Sequence, residues 1–131
     1  MAKKRILVVD DEPAVLELTG RMLEHLGCEV ELRTEGRKAL ECFLSDPVGV
    51  DLVISDLRMP GMTGDDLARK IHRIRPDMPI ILCSGYDGSG DIVKAGVEGV
   101  HTILTKPFRI KELEAAINQA LGHQTALTTS T

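Results

Sequence analysis

Five short segments rich in apolar residues divide the chain, and turn or charged residues follow each of them. Three contain continuous apolar runs, which is typical of strands covered on both faces of a sheet. The second segment alternates apolar and polar residues, as expected for an edge strand with one wetter face. The predicted strands are Ile6–Val9, Cys28–Leu32, Asp51–Asp56, Pro79–Cys83 and Val100–Thr105.

Segments with the helical spacing of apolar residues lie between and after these strands. Pro13 suits the first turn of the first helix, and Gly27 suits the position just past its end. A short fourth helix is predicted at about Ser89–Ala95, where each interior glycine costs ~1 kcal/mol relative to alanine. The residues predicted to face inward in the four longer helices are Val15, Leu16, Leu18, Met22, Leu23 and Leu26; Ala39, Leu40, Phe43 and Leu44; Leu67, Ile71 and Ile74; and Ile110, Leu113, Ile117 and Leu121.

Strands that alternate with helices predict an α/β fold with helices on both faces of a parallel sheet. With five strands and right-handed crossovers, we expect a single (βα)5 domain, doubly wound, with the strand order 2-1-3-4-5. This order places the alternating second strand at an edge. Ligands of such sheets bind beyond the carboxyl ends of the strands where the winding reverses, here between strands 1 and 3.

Length and charge narrow the possible functions. The 131 residues suit one domain, predicted over 4–121 with a flexible tail over 122–131. The net charge of −4 argues against a nucleic-acid-binding surface, and no apolar run is long enough for membrane insertion or a signal peptide. Cys28, Cys42 and Cys83 have no metal-ligand spacing, so we expect reduced cysteines in a cytoplasmic protein.

Polar residues follow four of the five predicted strands. Asp10 and Asp11 follow the first, Asp56 ends the third, Ser84 follows the fourth and Lys106 follows the fifth. Neighbouring carboxylates repel one another, and all-oxygen ligation suits Mg²⁺. A cation, an ammonium group and a hydroxyl donor together suit a phosphoryl group carried by Asp56.

Each of these residues alone has an ordinary structural explanation as a cap, a turn residue or a solvated lysine. Their convergence at one edge of the sheet is what favours a site. The four histidines share no ligand spacing, and we expect surface or boundary positions for them: His25, His72, His101 and His123.

Three motifs together resemble the receiver domain of two-component response regulators over about residues 4–121. They are Ile-Leu-Val-Val-Asp-Asp-Glu, Asp-Leu-Val-Ile-Ser-Asp-Leu-Arg-Met-Pro-Gly-Met-Thr-Gly and Leu-Thr-Lys-Pro-Phe. The resemblance implies a flavodoxin-like fold and a phosphorelay function. It also implies that a sensor histidine kinase or a histidine phosphotransfer protein donates the phosphoryl group, and that the receiver catalyses its own phosphorylation and dephosphorylation before switching a downstream partner.

The resemblance also implies roles for individual residues. Asp56 would accept the phosphoryl group, with Ser84 and Lys106 contacting its oxygens. Mg²⁺ would be bound by Asp11, Asp56 and the main-chain carbonyl of Arg58, with Asp10 acting through water. A cis peptide bond would precede Pro107.

The sequence departs from the family pattern beside the predicted site. Ile103 stands where the family usually has an aromatic residue. We therefore expect the conformational change that follows phosphorylation to differ from that of typical members. His101 and Thr102 replace an acidic pair found in members that dimerise through their last helices, so we do not predict that dimer. Arg58 and Tyr86 are bulky at positions that screen attacking water, so we expect a phosphorylated lifetime longer than minutes.

Alternative functions remain open at this point. The chain is either a stand-alone receiver or one cut from a longer protein such as a hybrid histidine kinase. A Mg²⁺-dependent phosphatase with an Asp nucleophile is less favoured, because such enzymes usually place Asp-x-Asp after the first strand, whereas Asp10 and Asp11 are adjacent. A receiver-like interaction domain that is never phosphorylated is disfavoured by the complete set of acids, serine and lysine.

Overall fold

A computed structural model describes residues 3–85 and 100–122 of the chain. The described elements are β1 (Arg5–Val9), α1 (Pro13–His25), β2 (Glu29–Arg33), α2 (Gly36–Ser45), β3 (Leu52–Asp56), α3 (Gly64–Ile74), β4 (Ile80–Ser84), β5 (Val100–Thr105) and α4 (Ile110–Leu121). The predicted short helix at Ser89–Ala95 and nearly all of the predicted tail lie outside the described residues. Among the described helices, none is both long and apolar enough to cross a membrane.

The five strands form one parallel sheet in the order β2-β1-β3-β4-β5, as predicted. Residues of β3 and β4 are buried throughout, whereas β2 is only partly buried. The edge position of β2 therefore explains its alternating sequence. Crossovers return every strand in the same direction, so the carboxyl ends of all five strands lie along one edge of the sheet.

Two hydrophobic layers cover the two faces of the sheet. Successive residues of a strand point to opposite faces, so Val8 enters one layer and Leu7 the other. The first layer contains Leu23 of α1 and Ile117 of α4, and the second contains Phe43 of α2 together with α3 residues. The site at the carboxyl ends of the strands is therefore supported by a sheet whose two faces are both covered by helices.

Caps and turn residues define several helix ends, and Pro13 and Gly27 lie where the sequence predicts them. Pro13 begins α1, and Gly27 has a φ of 88°, a conformation that glycine adopts without steric cost. The side chain of Thr63 caps α3 by accepting a hydrogen bond from the backbone N–H of Asp66 at 3.4 Å. In α4, the Glu112 carboxylate accepts from the N-cap backbone N–H. These caps fix where the loops around the predicted site begin and end.

Three inward positions predicted from the sequence are wrong. Leu18, Leu44 and Ile74 are 55%, 49% and 48% exposed. Leu18 lies two residues after the buried Leu16, and residues two apart point to different sides of a helix. Leu44 similarly follows the buried Phe43 by one residue, and Ile74 is the last residue of α3.

Candidate functional site

The carboxyl edge of the sheet brings together the polar residues that the sequence places after four strands. Asp56 is the last residue of β3 and Ser84 the last of β4, while Asp10 and Lys106 directly follow β1 and β5. Asp10, Asp56 and Ser84 are only 5%, 8% and 2% exposed. Burying three polar side chains at one point costs folding free energy unless they interact with one another or with a ligand.

Three carboxylates form an acidic cluster beside this edge. Asp10, Asp11 and Asp56 each offer an oxygen, and these oxygens lie within 4.8 Å of one another. Within the described part of the chain, this is the one such group of acidic, histidine or cysteine residues. Three hard oxygen ligands with room for waters fit Mg²⁺. The donor set is therefore compatible with the predicted metal.

The buried environment of Asp56 makes its carboxyl group harder to ionise than an exposed one. Burial raises the pKa of Asp56 from 3.8 to about 6. The positive charge of Lys106 acts in the opposite direction, and the negative charges of Asp10 and Asp11 raise the pKa further. A cation bound to the cluster would stabilise the ionised form of Asp56.

Lys106 contacts two of the three carboxylates. Its Nζ donates to Oδ2 of Asp10 at 2.7 Å and lies 3.4 Å from Oδ2 of Asp56. Burial alone would lower the pKa of Lys106, but its hydrogen bond to Asp10 and the nearby negative charges raise it overall. The closer partner is thus Asp10, a contact that the sequence does not reveal. The Lys106–Pro107 peptide bond is cis, as the resemblance implies.

Ser84 presents a hydroxyl group that is not paired within the described structure. Its Oγ is buried and has no hydrogen-bond partner among the described residues. Leaving a buried donor unpaired costs about 1–3 kcal/mol. Ser84 lines the same cavity as Asp56 and Lys106, so the unpaired hydroxyl lies where an oxygen-rich ligand would meet it.

Arg58 lies in the loop between β3 and α3 and lines the cavity. The backbone N–H of Leu57 donates to the carbonyl of Cys83 at 2.8 Å, which joins this loop to β4. The backbone N–H of Gly64 donates to the carbonyl of Leu57 at 2.9 Å, which ties the two ends of the loop together. The assignment of the Arg58 carbonyl as a metal ligand remains a prediction.

A cavity of about 480 Å³ extends from the acidic cluster along α1. This cavity was not predicted from the sequence, because all apolar residues of α1 were expected in one inward stripe. Val15, Leu18 and Met22 are spaced three and four residues apart, which marks a second apolar face of this helix. That spacing was the available signal. The apolar part of the wall consists of Val15, Leu18, Met22, Pro107 and Phe108.

Among the described residues, the other candidate side chains do not form a second site. Cys28 and Cys83 are buried and Cys42 is half-buried, and all three are free thiols, as predicted. Burial raises the pKa of Cys83 to about 12, so its thiol is not a ready nucleophile. His25 is exposed, and His72 is half-buried with Nε2 3.0 Å from the carbonyl oxygen of Met78. The side chains of the other two histidines, and Tyr86, lie outside the described residues.

Ile103, where the resemblance leads one to expect an aromatic residue, is 38% exposed. It lies on β5 and pairs in register with Leu82 of β4. The altered position thus lies on the strand next to the one that carries Ser84. Its effect on switching remains a prediction.

Comparison with known proteins gives a consistent family assignment. The family described as the response regulator receiver domain matches residues 6–118. The transcriptional regulatory protein GlrR of Escherichia coli (strain K12) is 39% identical over 116 residues, covering 88% of this chain and 26% of GlrR. Response regulator MprA of Mycolicibacterium vanbaalenii is 36% identical over 121 residues, covering 92% of this chain and 52% of MprA. The chain thus spans about a quarter to half of the length of these curated relatives.

Comparison with solved structures agrees with this family assignment. A response regulator receiver domain protein from Clostridium thermocellum has a TM-score of 0.86 and 33% identity, covering 95% of this chain and 99% of that chain. The chemotaxis protein CheY4 of Vibrio cholerae has a TM-score of 0.83 and 27% identity, covering 92% of this chain and 100% of that chain. The similarity therefore extends over the entire sheet and its helices.

Proposed function

Because this chain belongs to the response regulator receiver domain family, we propose that it is a phosphorylatable switch in which Asp56 accepts a phosphoryl group from a phosphohistidine. The observation that carries the proposal is the burial of Asp56 between two further carboxylates, Lys106 and an unpaired serine hydroxyl. A purely structural aspartate would not need these four neighbours.

The proposed reaction transfers the phosphoryl group from a nitrogen to an oxygen. An ionised oxygen of Asp56 attacks phosphorus, the P–N bond of the donor breaks, and the imidazole nitrogen keeps the bonding electron pair. An acyl phosphate forms on Asp56. Lys106 compensates the charge of the phosphoryl oxygens, and the Ser84 hydroxyl donates to one of them, which supplies the partner that its Oγ lacks.

The acidic cluster is assigned to Mg²⁺. Asp11, Asp56 and the Arg58 carbonyl would hold the ion directly, and Asp10 would act through water. When bound, Mg²⁺ supplies positive charge that favours the ionised carboxylate and neutralises the transferred group. Lys106, hydrogen-bonded to Asp10 at 2.7 Å, would then be drawn toward the phosphoryl oxygens. The chain would catalyse its own phosphorylation and dephosphorylation and would not turn over a separate substrate.

The donor would be a sensor histidine kinase or a histidine phosphotransfer protein. Several relatives are named as transcriptional regulators, and this chain covers only part of their length. The phosphorylated receiver would therefore control either an output domain in a longer protein or a separate partner. The net charge of −4 argues that the receiver itself does not contact nucleic acid.

Incubation with acetyl phosphate tests the proposal without the unknown kinase. In the presence of Mg²⁺, intact-mass spectrometry should detect one added phosphoryl group per chain, and EDTA should prevent its formation. The Asp56→Asn variant should remain unmodified. Modification of this variant to the wild-type extent would exclude Asp56 as the acceptor, and continuous release of phosphate at high turnover would favour a phosphatase.

A further inference from the structure

The loop between β3 and α3, residues 57–63, is positioned by a hydrogen bond between its ends, by two buried side chains and by packing against α2. At the base, its two ends are joined by the hydrogen bond from Gly64 to Leu57. Leu57 and Met59 are 5% and 6% exposed and pack into the core layer that contains α2 and α3 residues. The loop that carries Arg58 is therefore anchored along its length.

Near its α3 end, the backbone of the loop packs directly against the first residue of α2. A Cβ atom placed on Gly36 would lie 2.8 Å from the carbonyl oxygen of Met62, and 3.0 Å and 3.2 Å from its Cβ and Cγ. Gly36 is buried, so an added methyl group cannot turn toward solvent. Because the closest atom belongs to the main chain, a side chain at this position has to displace the loop or the start of α2.

The contact differs from that of another buried helical glycine. A Cβ atom on Gly20 in α1 would meet the side chain of Leu32, with Cδ1 at 3.0 Å and Cδ2 at 3.2 Å. The end of a leucine side chain can shift by rotation, whereas a carbonyl oxygen moves only with its peptide unit. Gly20 therefore provides a matched control for adding a methyl group to a helix.

We propose that Gly36 is a positioning residue for Mg²⁺, acting through the backbone of the 57–63 loop on the carbonyl of Arg58. This inference rests on the proposed function, in which that carbonyl is a metal ligand. Mg²⁺ requires nearly ideal octahedral geometry, and a main-chain ligand has no side-chain torsions with which to compensate for a displaced loop. The absence of a side chain at Gly36 thus lets the loop hold the Arg58 carbonyl in position, although Gly36 does not contact that carbonyl.

Isothermal titration calorimetry with Mg²⁺ on the wild type, Gly36→Ala and Gly20→Ala tests the proposal. Gly36→Ala should bind Mg²⁺ about tenfold more weakly, as expected for substitutions in the outer shell of a metal site. Gly20→Ala should retain the wild-type affinity. The ¹³C chemical shift of the Arg58 carbonyl should also differ between metal-free Gly36→Ala and wild type, which a uniform loss of stability would not produce.

The outcomes separate this inference from the proposed function. Wild-type affinity and an unchanged Arg58 carbonyl signal in Gly36→Ala would overturn the role of Gly36 and leave the receiver function intact. Failure of the wild type to bind Mg²⁺ would overturn both. If Gly36→Ala does not fold, Met62→Ala serves as the second variant, since it removes the part of the Met62 side chain that packs on Gly36 and on the core layer of α2 and α3, and so loosens the loop without adding atoms. It should also weaken Mg²⁺ binding, and unchanged affinity would refute the proposal.

Discussion

Replacing Asp56 by Asn should stabilise the metal-free protein at neutral pH. The pKa of Asp56 is raised from 3.8 to about 6, mainly by burial. At about 1.4 kcal/mol per pKa unit, ionisation of this buried group costs the folded state about 3 kcal/mol at pH 7. Asn keeps the size of the side chain and removes the charge. The gain corresponds to an increase in melting temperature of about 10 °C for a domain of this size.

The sign of the pH dependence follows from proton binding. Because the pKa of Asp56 is higher in the folded state, the folded protein binds more protons than the unfolded chain between pH 3.8 and about 6. The free energy of unfolding contributed by Asp56 therefore falls as pH rises through this window. Below it, both states are protonated and the contribution vanishes. The advantage of Asp56→Asn should thus be absent near pH 3.5 and complete by about pH 7.

Urea denaturation followed by far-UV circular dichroism measures the difference, since the chain has no tryptophan for fluorescence. Wild type and Asp56→Asn are compared in EDTA at several pH values and again with Mg²⁺. Bound Mg²⁺ should stabilise the wild type more than the variant and reduce the gap, because a ligand stabilises the state that binds it. Equal stability in EDTA at pH 7, or a gap that persists unchanged near pH 3.5, would refute the reasoning.

Three further predictions concern the residues around Asp56. Lys106→Met should destabilise the protein by about 3 kcal/mol in urea denaturation at pH 7, because it leaves the buried Asp10 carboxylate without its partner; unchanged stability would contradict this. Ser84→Ala should raise the free energy of unfolding by about 1 kcal/mol, because it removes a buried hydroxyl that has no partner, yet slow acetyl phosphate labelling at least about tenfold; wild-type labelling rates would argue against a phosphoryl contact. With Mg²⁺ present, timed mass spectrometry should show that the phosphorylated protein persists longer than minutes. Replacing Arg58 by a smaller residue should shorten this lifetime. Decay of the wild type within seconds would exclude the proposed role of Arg58 in screening the acyl phosphate from attacking water.

The sheet could be predicted from the sequence because its strands carry distinct patterns. The continuous apolar runs of β1, β3 and β4 and the alternating residues of β2 together identify β2 as one of the two edge strands. Once the order is known, the polar residues that follow β1, β3, β4 and β5 must meet at one edge. The order of the strands in the sheet therefore predicts the general location of the site.

Details that depend on side-chain packing could not be predicted in the same way. The closest partner of Lys106 is Asp10 and not Asp56, which depends on differences of less than one ångström in a crowded site. Leu18 is apolar and lies on a helix, but its rotation about the helix axis relative to Leu16 places it at the cavity. The packing of Gly36 on the 57–63 loop joins residues from separate elements and leaves no local pattern.

The location of the phosphoryl group tests the central claim most directly. An acyl phosphate on an aspartate is reduced by borohydride to an alcohol, which converts the modified residue to homoserine. After treatment with acetyl phosphate and Mg²⁺, reduction and peptide sequencing by mass spectrometry should find homoserine at position 56, and none when Mg²⁺ is removed with EDTA. Homoserine at Asp10 or Asp11, or a stable phosphate on a serine or histidine, would contradict the assignment of Asp56 as the acceptor.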